Sequence, residues 1–137
     1  MLVYHGTNES FKKKNILKNG FKESKEDNLV GSGVYCTPNK TLAYEFTEKN
    51  YPPYRKDKRL VLTLDIDDSK VLRINYEDIA KICGYDVVPT EWSYSMDRIK
   101  GAREYCIENG YTGIEIIYLD CCSEICIFDK SIIKGVV

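Results

Sequence analysis

Leu60, Leu62, Leu64 and Ile66 alternate with Val61, Thr63 and Asp65, the clearest two-residue period in the chain, and predict a strand with one face against a core. Shorter apolar runs predict further strands over Leu2 to His5, Gly33 to Cys36, Ile114 to Leu119, Glu124 to Phe128 and Ile132 to Val137, with a tight turn from Asp120 to Ser123. Helical spacing predicts four helices. The first covers Phe11 to Lys18, capped by Ser10 and stopped by Gly20. In the second, Thr37-Pro38 supply the cap and a first-turn proline, and Leu42, Ala43 and Phe46 share a face from Asn39 to about Glu48. A short third helix runs from Asn75 to Gly84. The fourth starts at Ser95, ends at Gly110, and carries a buried stripe of Ile99, Ala102, Cys106 and Ile107. Residues 22–32 and 50–59 read as polar or proline-bearing loops. Strands that mostly follow one another, with helices between, predict a mixed α+β domain rather than a doubly wound one. No repeat or linker divides the chain, so residues 1–137 are expected to form one domain.

Charge narrows the possible partners. The net charge of −1 argues against a protein built mainly to grip a phosphate backbone. Lys12-Lys13-Lys14 and the Arg55–Arg59 run read as solvated faces. No stretch approaches the roughly 18–20 apolar residues of a membrane span, and the N-terminus lacks a secretory signal, so a cytoplasmic, monomeric protein is expected. The six cysteines have no framework spacing and read as core residues or free thiols. Cys121, Cys122 and Cys126 lack a second pair, and the single histidine is far off in sequence, so no metal is expected. Trp92 is explained as well by packing as by a binding surface; Asp65 and Asp67 read as strand-end and turn residues.

Three stretches remain: Tyr4-His5-Gly6-Thr7, Gly31-Ser32-Gly33-Val34-Tyr35-Cys36-Thr37-Pro38, and Ser123-Glu124-Ile125-Cys126-Ile127-Phe128-Asp129. Each alone has a plain explanation. A lone histidine is usually a partly buried polar residue, a strand tyrosine is usually packing, and a glutamate opening a strand is usually a surface end. Their order changes that. The set resembles the His-Tyr-Glu branch of the ADP-ribosyltransferase superfamily, which includes the poly(ADP-ribose) polymerases and diphtheria-type toxins. The resemblance runs from about Tyr4 to Ile133, strong at the three stretches and thin between them.

The resemblance implies an α+β fold of ADP-ribosyltransferase type: a split, mostly antiparallel two-sheet core with flanking helices and NAD in the cleft between the sheets. By resemblance, Glu124 is the catalytic carboxylate, His5 holds a ribose hydroxyl and Tyr35 stacks on nicotinamide. Gly6 would bind the carboxamide through its main chain, and Thr7 would support the ribose. Tyr44 or Phe46 would form the second aromatic wall. The chemistry suits this kit. Cleaving the nicotinamide–ribose bond gives the sugar carbon oxocarbenium character, which a carboxylate stabilises, while neutral nicotinamide leaves without a general acid.

Two departures refine the expectation. Arginine-specific relatives carry Glu-x-Glu, but Cys122 stands two positions before Glu124, which argues against arginine modification. The equivalent of the polymerase donor loop, 22–32, is short, so transfer of a single ADP-ribose or hydrolysis of NAD fits better than chain elongation. The expected partners are NAD and an acceptor, protein or nucleic acid, that the sequence does not identify. Two alternatives stand beside this: an RNA 2′-phosphotransferase-like NAD enzyme, and a non-catalytic module that binds NAD or ADP-ribose.

Overall fold

In a computed structural model, which describes residues 1–8, 29–50, 58–89, 99, 101–120 and 122–137, the alternating stretch forms the central strand of a three-stranded sheet. This sheet has the order β1 (Leu2–Asn8), β3 (Arg59–Ile66), β7 (Ile133–Val136), antiparallel throughout. A second sheet has the order β2 (Val34–Cys36), β6 (Ser123–Ile127), β5 (Gly113–Ile117), β4 (Val71–Asn75). Only its β4–β5 pair is parallel. Three α-helices lie among the described residues: α1 (Lys40–Asn50), α2 (Tyr76–Ile82) and α3 (Ala102–Glu108). The fold is thus mixed α and β with two mostly antiparallel sheets, as the order of elements in the sequence predicts.

Two apolar clusters follow from the strand pleat, because successive side chains point to opposite faces. Val3, Leu62, Leu64 and Ile66 from the first sheet meet Val34, Cys36, Ile125 and Ile127 from the second. On the far face of the second sheet, Ile114, Ile116 and Cys126 pack with Ile79 of α2 and with Ala102 and Cys106 of α3. The sheets are tied where Tyr4 and Thr37 exchange two main-chain hydrogen bonds of 2.8 and 2.9 Å.

Several local expectations shift. β4 is not legible from periodicity: Arg73 interrupts its apolar positions, and its parallel partner β5 starts at Gly113, 38 residues beyond Asn75. The cap of α1 is Asn39 rather than Thr37, since Asn39 Oδ1 accepts from Leu42 N at 3.0 Å. Ile107 is 48% exposed, so the stripe on α3 reduces to Ala102 and Cys106, and Ile99 is buried ahead of the helix. β5 stops at Ile117 because Tyr118 N bonds to Cys122 O and closes the turn. A 3₁₀ turn over Lys130–Ile132, capped by Asp129, delays the last strand to Ile133. The expected helix from Ser10 to Gly20, the lysine run, Pro52-Pro53, Trp92 and Ser95 lie outside the described residues. Among the described residues no helix is long and apolar enough to cross a membrane.

Candidate active site

His5 lies on β1 where the two sheets meet, and its Nδ1 is 2.7 Å from Tyr35 O. A carbonyl oxygen only accepts, so Nδ1 carries the proton and Nε2 has acceptor character. Burial pushes the imidazole pKa below 6.5, against the smaller opposing effect of the Tyr35 hydrogen bond, and the ring is neutral at pH 7. Thr7, on the same face of β1, is 1% exposed, and its Oγ1 has no hydrogen-bond partner among the described residues.

The opposite face of β1 belongs to α1. A Cβ added at Gly6 would collide with the Ala43 carbonyl oxygen and stand 2.8 Å from Thr47 Cγ2. Helix packing alone therefore requires glycine at this position, whatever else its main chain binds. Ala43 and Thr47 form the buried face of α1, while Phe46 is half-buried and Tyr44 is 47% exposed. Both candidates for the second aromatic wall are thus carried by a helix on the side of β1 away from the His5 side chain.

Tyr35 and Glu124 share a face of the second sheet. The register pairs Tyr35 with Cys126, which lies two residues beyond Glu124 on β6. The Tyr35 ring packs against the second apolar cluster, and its hydroxyl is fastened to the preceding loop. It donates to Gly31 O at 2.7 Å and accepts from Val30 N at 3.1 Å. Burial above all, with smaller contributions that include the Glu124 charge, holds this phenol protonated well above its ordinary value of 10.0. Glu124 is half-buried, and Tyr118, just past the end of β5, donates its hydroxyl to Glu124 Oε2 at 3.0 Å. The rings of Tyr118 and Tyr76 lie 5.5 Å apart between centroids. Burial, then the Glu124 charge, also raises the Tyr118 pKa, so this phenol stays a donor.

A second carboxylate went unnoticed in the sequence. Glu115, between Ile114 and Ile116, is 6% exposed and points to the other face of the sheet. It accepts from Arg73 Nε at 2.8 Å and from Ser123 Oγ at 2.7 Å. An acid inside an otherwise apolar strand was the available signal, since a buried carboxylate must be paired. Ser123 is also held through its carbonyl oxygen, which accepts from Thr37 Oγ1 at 2.7 Å.

The buried thiols among the described residues are held protonated. Burial pushes Cys126 up to about 12 and Cys106 up to about 11, and raises Cys36 further. Cys36, Cys83, Cys106 and Cys126 are free thiols. Among the described residues no three His, Cys, Asp or Glu side chains gather to hold a metal. An open hollow of about 460 Å³ is lined by Pro38, Asn39, Asp120, Cys122 and Ser123. None of the seven candidate residues lines it, so the hollow and the candidate chemistry occupy neighbouring but different ground. A neutral imidazole, a fixed tyrosine and a half-buried carboxylate thus stand on three adjoining strands: His5 meets the Tyr35 main chain, and Tyr35 shares a sheet face with Glu124. No protein-family model matches the chain, and no curated protein matches it.

Proposed function

We propose that this protein is an NAD-dependent ADP-ribosyltransferase with the split two-sheet fold of that superfamily, transferring a single ADP-ribose to an acceptor and releasing nicotinamide. The observation that carries this is the meeting of three stretches far apart in sequence: His5 bonded to the main chain of Tyr35, with Tyr35 and Glu124 on one face of β2 and β6. The protonation state of His5 suits a ribose hydroxyl, which can donate to Nε2. Thr7 Oγ1, buried and unpartnered among the described residues, is the kind of atom that a bound sugar satisfies.

The reaction breaks the bond between ribose C1′ and the nicotinamide nitrogen, and the bonding pair leaves with neutral nicotinamide. The Glu124 carboxylate stabilises the positive charge that develops at C1′. An acceptor hydroxyl or other nucleophile then bonds to C1′ and gives up its proton to Glu124 or to solvent. Tyr118, which stays protonated, steadies one carboxylate oxygen throughout. Tyr35, its hydroxyl tied to the Val30–Gly31 turn, offers a ring that does not swing away from nicotinamide.

The test measures nicotinamide release in a cell lysate that supplies acceptors, for the wild type and for Glu124→Gln, with NAD binding to each followed by calorimetry. Release by the wild type alone, with binding by both, is the expected result. Binding without release by either protein overturns the transferase and favours a silent NAD-binding module. No binding and no release overturns both.

A further inference from the structure

Thr37 is buried, 0% exposed, and belongs to none of the roles assigned above. Its N–H and carbonyl both pair with Tyr4, the residue before His5. It stands two residues after Tyr35. Its Oγ1 donates to Ser123 O at 2.7 Å and accepts from Asn39 N at 3.1 Å, and Ser123 is the residue before Glu124. One threonine therefore touches the neighbours of all three candidate residues. From the other side Ser123 Oγ is held by Glu115, itself fixed by Arg73. The start of β6 is thus gripped at its carbonyl and at its side chain, immediately ahead of Glu124.

We infer that Thr37 is a positioning residue of the NAD site: its hydroxyl sets where the Glu124 carboxylate stands relative to the strand that carries His5. This rests on the transferase reading. A carboxylate acting on a developing charge at C1′ has to be held to a fraction of an ångström, and a displacement of about 1 Å costs on the order of 100-fold in rate. The two main-chain bonds between Tyr4 and Thr37 fix the strands to each other, the β2–β6 ladder reaches the Cys36–Ile125 pair, and the hydroxyl adds a side-chain bond that extends the grip to the residue before Glu124. A helix-capping role for Thr37 does not account for this bond, because Asn39 caps α1.

The experiment compares nicotinamide release by wild type, Thr37→Val, Thr37→Ser and Asn39→Ala, each with its melting temperature. Thr37→Val removes the hydroxyl at nearly constant volume and is expected to lower kcat about 10- to 100-fold while the KM for NAD stays within about twofold. Thr37→Ser keeps the donor and is expected to restore kcat to within about threefold of wild type. Asn39→Ala loosens the α1 cap and is expected to lower the melting temperature with kcat unchanged. Unchanged kcat in folded Thr37→Val overturns the inference and leaves the transferase standing, as does an equal loss in Thr37→Ser. If Thr37→Val does not fold, Thr37→Cys, which keeps only a weak donor, replaces it, and a wild-type kcat there overturns the inference. A wild type that releases no nicotinamide overturns the inference and the transferase together.

Discussion

Toward the first sheet, β6 presents Ile125 and Ile127, closed over by Val3, Leu64 and Ile66. Toward the helices it presents Glu124 and Cys126, beside Tyr35 and Tyr118. The first face is aliphatic along its middle and excludes water. The second mixes apolar contact with phenol hydroxyls and a half-buried carboxylate, each held by hydrogen bonds. Consecutive residues of one strand thus do unlike work: the odd positions stabilise the sandwich, and the even ones carry groups that respond to charge. Glu115 qualifies the contrast, because it puts a carboxylate on the aliphatic side. There it is neutralised by Arg73 and satisfied by Ser123, as a buried charge requires.

If the division holds, neighbouring substitutions should separate stability from turnover. Ile125→Ala is expected to cost about 2–5 kcal/mol in denaturant unfolding, with the KM for NAD little changed in the folded protein. Glu124→Gln, one residue away, is expected to lower nicotinamide release by about 10²–10³-fold with the melting temperature nearly unmoved. A large loss of stability in Glu124→Gln, or of kcat alone in Ile125→Ala, breaks the comparison.

Gly6→Ala comes next. Its Cβ has no room beneath α1, and an overpacked contact of this kind costs about 1–3 kcal/mol, read as a lower unfolding midpoint. Tyr118→Phe removes one donor to Glu124, worth about 0.5–1.5 kcal/mol. A several-fold fall in kcat at unchanged KM is the expected readout, and no fall would detach Tyr118 from the chemistry.

The smallest effect is a pH dependence. Burial lowers the His5 pKa from 6.5, so the unfolded chain takes up a proton at a higher pH than the folded protein. His5 therefore makes no demand on stability above about 6.5, and it destabilises progressively as pH falls below that value toward the folded pKa. Melting temperatures on either side of pH 6.5 should show a decline that His5→Gln flattens. An identical decline in the variant would mean that His5 is not buried as a neutral ring.

The sequence made legible what repeats locally. The strict alternation of 60–66 and the apolar run after Glu124 each announce a strand, because a face buried along its length leaves a period of two. The order of His5, Tyr35 and Glu124 raises the expectation of one site, and the fold sets these residues on the adjoining strands β1, β2 and β6. What stayed hidden depends on partners distant in sequence. β4 hides behind Arg73, whose charge is explained only by Glu115, 42 residues on. Thr37 reads as a helix cap until its hydroxyl is seen on Ser123, 86 residues away. Ile107 fits the helical stripe, yet α3 packs through Ala102 and Cys106, with Tyr105 partly buried beside them. The resemblance implies a ligand contact for Gly6, whereas the close approach of α1 requires glycine there by itself.

The account stands on His5, Tyr35 and Glu124 serving one NAD site, and the chain offers a direct probe. It contains a single histidine, so the imidazole signals in a proton NMR spectrum belong to His5 without further assignment. Titration with NAD should shift those signals in the wild type and in Glu124→Gln alike, since the ligand's ribose donates to the ring while the glutamine blocks turnover. Imidazole signals that stay in place at saturating NAD would contradict the account.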